Sequence, residues 1–139
     1  MSDRVAIEAR RQAWIDVTTA GDSAACTRLL TEDVVWVPPG MAALSGRKAV
    51  CDWMVPFFEL YEYDFSVHGP RLQLAGDWAV DRGTFTSALI SRHDGRRSSH
   101  SGEYLIVWRR EPDREWYIER YVHLADIQTD FQAETPLAK

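Results

Sequence analysis

The chain has 139 residues, 45% hydrophobic and 27% charged, with a net charge of −5. That length and balance predict one soluble domain, residues 1–139, with a core over 5–126 and a polar tail over 128–139. No apolar run approaches the roughly 20 residues that span a bilayer. The first residues lack the basic and apolar regions of a signal peptide, so a cytoplasmic location is expected. There is no Lys/Arg stripe: Arg96-Arg97 and Arg109-Arg110 are short pairs, which argues against nucleic acid as a partner.

In chain order, residues 3–20 read as a helix, with Ile7, Arg11, Trp14, Ile15 and Thr18 at helical spacing. Gly21 ends it, and Asp22 or Ser23 caps a short second helix over 23–31 with Ala25, Cys26, Leu29 and Leu30 on its buried side. Val34-Val35-Trp36-Val37 reads as a strand stopped by Pro38-Pro39-Gly40, since a proline cannot donate to a ladder. Residues 40–45 read as a loop. Ser45 is the expected cap of a third helix over 46–62, whose broad apolar face carries Val50, Trp53, Met54, Phe57, Phe58 and Tyr61. Pro56 should kink it.

The period then changes. Residues 63–75, 78–92, 98–110 and 115–125 read as strands joined by turns at Gly76-Asp77, His93-Asp94-Gly95 and Glu111-Pro112-Asp113-Arg114. Consecutive long strands with tight turns predict an antiparallel meander, giving the order ααβαββββ. Cys26 and Cys51 fall in separate helical segments without metal-ligand spacing and read as free thiols. Four scattered histidines without paired carboxylates do not make a metal site, and no cofactor is implied. Six Trp, five Tyr and five Phe are a high aromatic load, suited to a core or to a flat-walled pocket for a ring-shaped ligand.

Four segments, in this order, carry a family resemblance: Thr31-Glu32-Asp33-Val34-Val35-Trp36, Leu44-Ser45-Gly46-Arg47-Lys48-Ala49-Val50, Gly76-Asp77-Trp78-Ala79-Val80-Asp81-Arg82-Gly83, and Gly102 to Arg110 followed by Trp116-Tyr117-Ile118. Over residues 5 to 126 the chain resembles the nuclear transport factor 2-like (cystatin-like α+β) superfamily. Within it, the chain looks most like the SnoaL-like polyketide cyclase and ketosteroid isomerase-related group. The resemblance implies an α+β cone in which three N-terminal helices pack on a strongly curved antiparallel sheet and enclose a pocket. It also implies a homodimer through the convex sheet face. Members include isomerases, dehydratases, cyclases and epoxide hydrolases, so function has to be argued from the site.

Tested against those chemistries, the residues match incompletely. Ketosteroid isomerase uses an Asp base and an oxyanion hole of Tyr and protonated Asp, a standard illustration of pKa tuning. The base position, at the end of the first strand, reads Val37-Pro38-Pro39 here; the tyrosine position falls near Trp14 and the oxyanion Asp near Tyr104. For a scytalone dehydratase-like site, His68, His100, Asp16 and Tyr61 are loose counterparts. For a limonene epoxide hydrolase-like site, Asp81 and Arg82 are adjacent in a strand and face opposite sides; Arg120 could replace the Arg, but no second acid is evident. For a SnoaL-like acid–base pair, His100 has no identifiable Asp partner.

Strand alternation assigns faces. In 98–110, His100, Gly102, Tyr104, Ile106 and Trp108 share one face, turned inward as the more aromatic. In 116–124, Trp116, Ile118, Arg120, Val122 and Leu124 form the more apolar set, turned inward, leaving Tyr117, Glu119, Tyr121 and His123 for a dimer face; a bulge would invert either assignment. Arg120 would then meet a substrate carboxylate or enolate, or an acid on helix one such as Glu8 or Asp16. The expected site is therefore His100, Tyr104 and Arg120 as catalytic groups, with Trp14, Trp36, Trp53, Phe57, Tyr61 and Trp108 holding a small apolar, ring-bearing substrate. Three readings stay open: a cofactor-independent isomerase, dehydratase or cyclase; a non-catalytic binding protein; and a dimeric interaction module.

Overall fold

The computed structural model describes residues 2–38 and 40–126. Helix α1 spans Asp3–Ala20; the Ser2 side chain accepts from the Val5 N–H at its start. Its end is a left-handed Gly21 (φ 70°) whose N–H bonds the Thr18 carbonyl. Ile7, Arg11, Trp14 and Thr18 form its buried stripe. Helix α2 is only Ser23–Thr27, capped by Asp22. The sequence pattern extends it to residue 31, but Leu30 instead opens strand β1, Leu30–Val37. Pairing with a distant strand decides this: Leu30 stands beside Ile118, whose N–H donates to the Leu29 carbonyl at 2.8 Å.

The segment read as a loop ends in a two-residue strand β2, Leu44–Ser45, paired with Val35 and Trp36. Helix α3, Arg47–Leu60, has Gly46 (φ 95°) at its N-cap rather than Ser45, and no side chain caps it. It continues through Pro56, which has no N–H for the Asp52 carbonyl. Val50, Met54 and Phe58 form its buried side.

The second half is the expected meander: β3 Tyr61–Ala75, β4 Trp78–Ser91, β5 Arg97–Arg110 and β6 Trp116–Asp126. The sheet order is β2-β1-β6-β5-β4-β3. It is mixed rather than wholly antiparallel, because β1 lies parallel to β6. The three helices pack on the curved sheet, so the architecture is α+β as the pattern predicts. The polar tail over 128–139 lies outside the described residues.

Bulges in β3 and β6 shape the sheet. In β3, Gly69 and Pro70 together stand opposite the single Gly83, between the pairs His68–Thr84 and Arg71–Arg82. In β6, Glu119 is an extra residue between Ile118, opposite Trp108, and Arg120, opposite Val107. A residue without a partner switches the side-chain phase of everything after it.

The core gathers Ile7 and Trp14 from α1, Leu30, Val34 and Trp36 from β1, and Phe65, Phe85, Ile106, Trp108, Trp116, Ile118 and Tyr121 from the meander. One glycine has a steric reason. A Cβ on Gly83 would meet the His68 carbonyl oxygen and Tyr104 Cε2, each at 2.9 Å. The His68 carbonyl and the Tyr104 ring both close on this one point, and only glycine admits both.

Candidate active site: an aromatic cavity with two histidines

Two connected cavities lie between the helices and the inner sheet face. The inner one, about 60 Å³, is walled by Trp14, Trp36, Met54, Phe58, Phe65 and Tyr121 among others. The outer one, about 230 Å³, adds Met41, Phe85, Ser87, Leu89 and His100. Pro38, Trp53, Phe57, Tyr63 and His123 border both. The walls interlock as ring contacts: Trp36 lies 4.4 Å from Tyr121, Trp14 5.4 Å from Trp36, and Trp53 stacks on Phe57 at 5.1 Å.

His123 sits at the junction. Its ring stacks on Phe85 at 4.0 Å, and Nε2 lies 3.5 Å from the Tyr121 hydroxyl. Burial, and secondarily the nearby His100, lower its pKa to about 3, so the imidazole stays neutral near pH 7. The same burial pushes the Tyr63 and Tyr121 hydroxyls above their ordinary value and keeps them protonated donors. His100 lies at the outer chamber with Nε2 3.2 Å from Ser98 Oγ.

Behind this cavity is a second polar cluster. Asp81 has no exposed surface. Its carboxylate accepts from Arg11 Nε at 2.8 Å, the Tyr104 hydroxyl at 3.0 Å and Trp108 Nε1 at 3.1 Å. A buried charge persists only when paired and hydrogen-bonded, and three donors meet that condition. Burial and then the Asp81 charge push the Tyr104 pKa up.

The inward assignment of β5 matches the structure: His100, Tyr104 and Trp108 are on the helix side. Only His100 of these three lines the aromatic cavity; Tyr104 and Trp108 turn their polar atoms to Asp81. Arg120 departs from the expectation. The Glu119 bulge rotates it to the outer face, where its side chain is 47% exposed and its nearest acid is Glu119 at 3.7 Å, not Glu8 or Asp16. The same shift takes Tyr121 out of the supposed dimer face, burying it to 1%, and turns His123 inward. Trp14, Trp36, Trp53 and Phe57 line the cavity, whereas Tyr61 packs beside Phe57 and Tyr63 takes the wall position. His68 is on the outer face, 3.0 Å from Thr86.

Sequence reading missed His123, Tyr121, Tyr63 and the Arg11–Asp81 link. A signal existed for the first two. Trp116, Ile118, Tyr121 and His123 are what an aromatic strand with one inserted residue looks like. Arg11 inside an apolar helical stripe likewise called for a buried acid.

Cys26 is buried, which pushes its thiol pKa up to about 12; it and Cys51 are free. Among the described residues no cluster of three or more His, Cys, Asp or Glu could hold a metal, and no helix is long and apolar enough to cross a membrane.

Residues 12–118 match the SnoaL-like domain family, and the chain belongs to it. The fold is shared with solved structures of low identity. A conserved protein from Planctomyces limnophilus superposes with a TM-score of 0.83 at 21% identity, over 89% of this chain and 96% of that one. A candidate dehydratase of the NTF2-like family from Streptomyces avermitilis gives 0.77 at 20%, over 86% and 94%. A ketosteroid isomerase-like protein from Erwinia carotovora atroseptica gives 0.74 at 22%, over 85% and 92%. No curated protein matches the chain.

Proposed function

We propose that the protein is a cofactor-independent enzyme of the isomerase, dehydratase or cyclase type, acting by acid–base chemistry on a small, apolar, ring-bearing molecule. One observation carries the reading: His123 and His100 both border the outer chamber, whose other walls are nearly all aromatic or aliphatic. A ring seats against Trp53, Phe57 and Phe85. His123, neutral through burial, accepts a proton from a carbon adjacent to a carbonyl or leaving group. In a dehydration the C–H and C–O bonds break, a C=C bond forms, an N–H of His100 supplies the proton with which hydroxide leaves as water, and the proton gained by His123 is passed back to His100 through solvent. In an isomerisation the proton returns to a different carbon. The described lining contains no Arg, Lys, Asp or Glu, which favours an uncharged substrate.

A second reading, a non-catalytic binding protein, draws on the depth of the His123 shift: a group with a pKa of about 3 is a weak base. The two readings separate with 2-tetralone, a ring ketone with acidic C–H groups. Tryptophan fluorescence reports its binding and proton NMR in D2O reports exchange. Enzyme chemistry predicts exchange well above the buffer rate, lowered roughly 100-fold or more in His123→Gln with binding retained. Binding without acceleration in the unaltered protein would leave the binding-protein reading, and no binding of this ketone or related ring alcohols would sink both.

A further inference from the structure

The β3 bulge borders a concavity of about 390 Å³ on the outer sheet face, lined by His68, Arg71, Arg82, Thr84, Glu103 and Tyr104 and sharing no lining residue with the aromatic cavity. Arg71 and Arg82 are directly opposed across the β3–β4 ladder and both exposed. Like charges in opposed positions repel. Among the described residues neither guanidinium has an ion pair or hydrogen bond, in contrast to Arg109 and Arg110, each of which binds two carboxylates. Glu103 borders the same concavity but forms no ion pair with either. The Thr84 hydroxyl donates to the His68 carbonyl at 3.3 Å and so fixes the rim. The bulge and the left-handed Gly69 (φ 59°) shape the surface that both arginines border.

We propose that this concavity is an oxyanion site in which the Arg71 and Arg82 guanidiniums grip the carboxylate or phosphate group of a small ligand. Guanidinium forks match the geometry of both groups, and an anion between them converts a repulsive pair into two charge-assisted contacts. Glu103 at the rim selects against ligands that carry a second negative charge on that side.

The test is an amide NMR titration of the full chain with inorganic phosphate, and separately with acetate, at constant ionic strength. Saturable shifts at Gly69, Arg71, Arg82 and Gly83, with a Kd tighter than about 10 mM, are expected for at least one anion. Preference for phosphate assigns a phosphate ligand, and equal binding a carboxylate. Arg71→Gln and Arg82→Gln should each weaken binding about tenfold or more, while Glu103→Gln tightens it several-fold. Without anion, Arg82→Gln should leave Tm unchanged or raised, because it removes repulsion. Shifts that never saturate, that spread equally to Arg28 and Arg114, or that survive Arg82→Gln would overturn the proposal. So would weaker binding in Glu103→Gln, or a loss of Tm in Arg82→Gln without anion, which would reveal a structural partner.

Discussion

The buried Arg11–Asp81 pair can be tested by removing its charges singly and together. The Arg11 side chain is 9% exposed and that of Asp81 not at all, so water and salt screen the pair little. Arg11→Met leaves a buried carboxylate held only by the Tyr104 hydroxyl and the Trp108 N–H; Asp81→Asn leaves a buried guanidinium without a counter-charge. Each should cost about 3–5 kcal/mol, as for other broken buried pairs. The double variant has no unpaired charge, and its Asn oxygen still accepts from Trp108. It should cost about 1–2 kcal/mol, less than either single change, with a coupling of about 4 kcal/mol or more. For a chain of this size 1 kcal/mol moves Tm by roughly 3–5 °C, so the single variants should melt about 10–20 °C lower. Urea denaturation and calorimetry on the four proteins measure the cycle. Additive costs, or single losses below about 1 kcal/mol, would refute the view that this pair holds α1 onto β4.

Three further outcomes follow from particular contacts. Because burial lowers the His123 pKa to about 3, the unfolded chain takes up a proton below about pH 6.5 that the folded chain refuses. Stability from this group is therefore complete above pH 6.5 and lost as pH falls toward 3, by roughly 2 kcal/mol at pH 5, and His123→Phe should flatten that part of a stability-versus-pH curve. Gly83→Ala should cost about 1–3 kcal/mol in urea unfolding, because the new methyl meets the His68 carbonyl and the Tyr104 ring at 2.9 Å. Deleting Glu119 should either abolish cooperative folding or turn His123 and Tyr121 outward, seen as loss of ring-shifted His123 resonances, whereas Glu119→Ala should be nearly silent in both readouts.

Much of the fold was legible because it rests on local signals. The Ile7–Arg11–Trp14–Thr18 stripe, the Gly21 stop and the turns at Gly76-Asp77 and His93-Asp94-Gly95 mark the elements within a residue or two. What escaped depends on contacts far apart in the chain. Leu30 belongs to a strand because Ile118 is beside it, and Leu44 pairs because Trp36 is there. The cavity walls Trp14, Trp36, Trp53 and Phe57 could be named from helical and strand patterning. The polar groups could not, because alternation fixes a face only until a bulge resets it. Asp81 shows a different limit: sequence gives a carboxylate on a strand, but its three donors come from α1 and β5 and become visible only when those elements meet.

The extra residue at 119 also means that the character of the cavity is set by a count of backbone atoms rather than by the identity of any one side chain. In one phase β6 would offer the interior Arg120 and Val122; in the other it offers Tyr121 and His123. A single deletion in this strand therefore exchanges a neutral aromatic lining for one that carries a cation, with no side chain substituted. The position with the greatest leverage over the character of this cavity is then one whose own side chain does not line it.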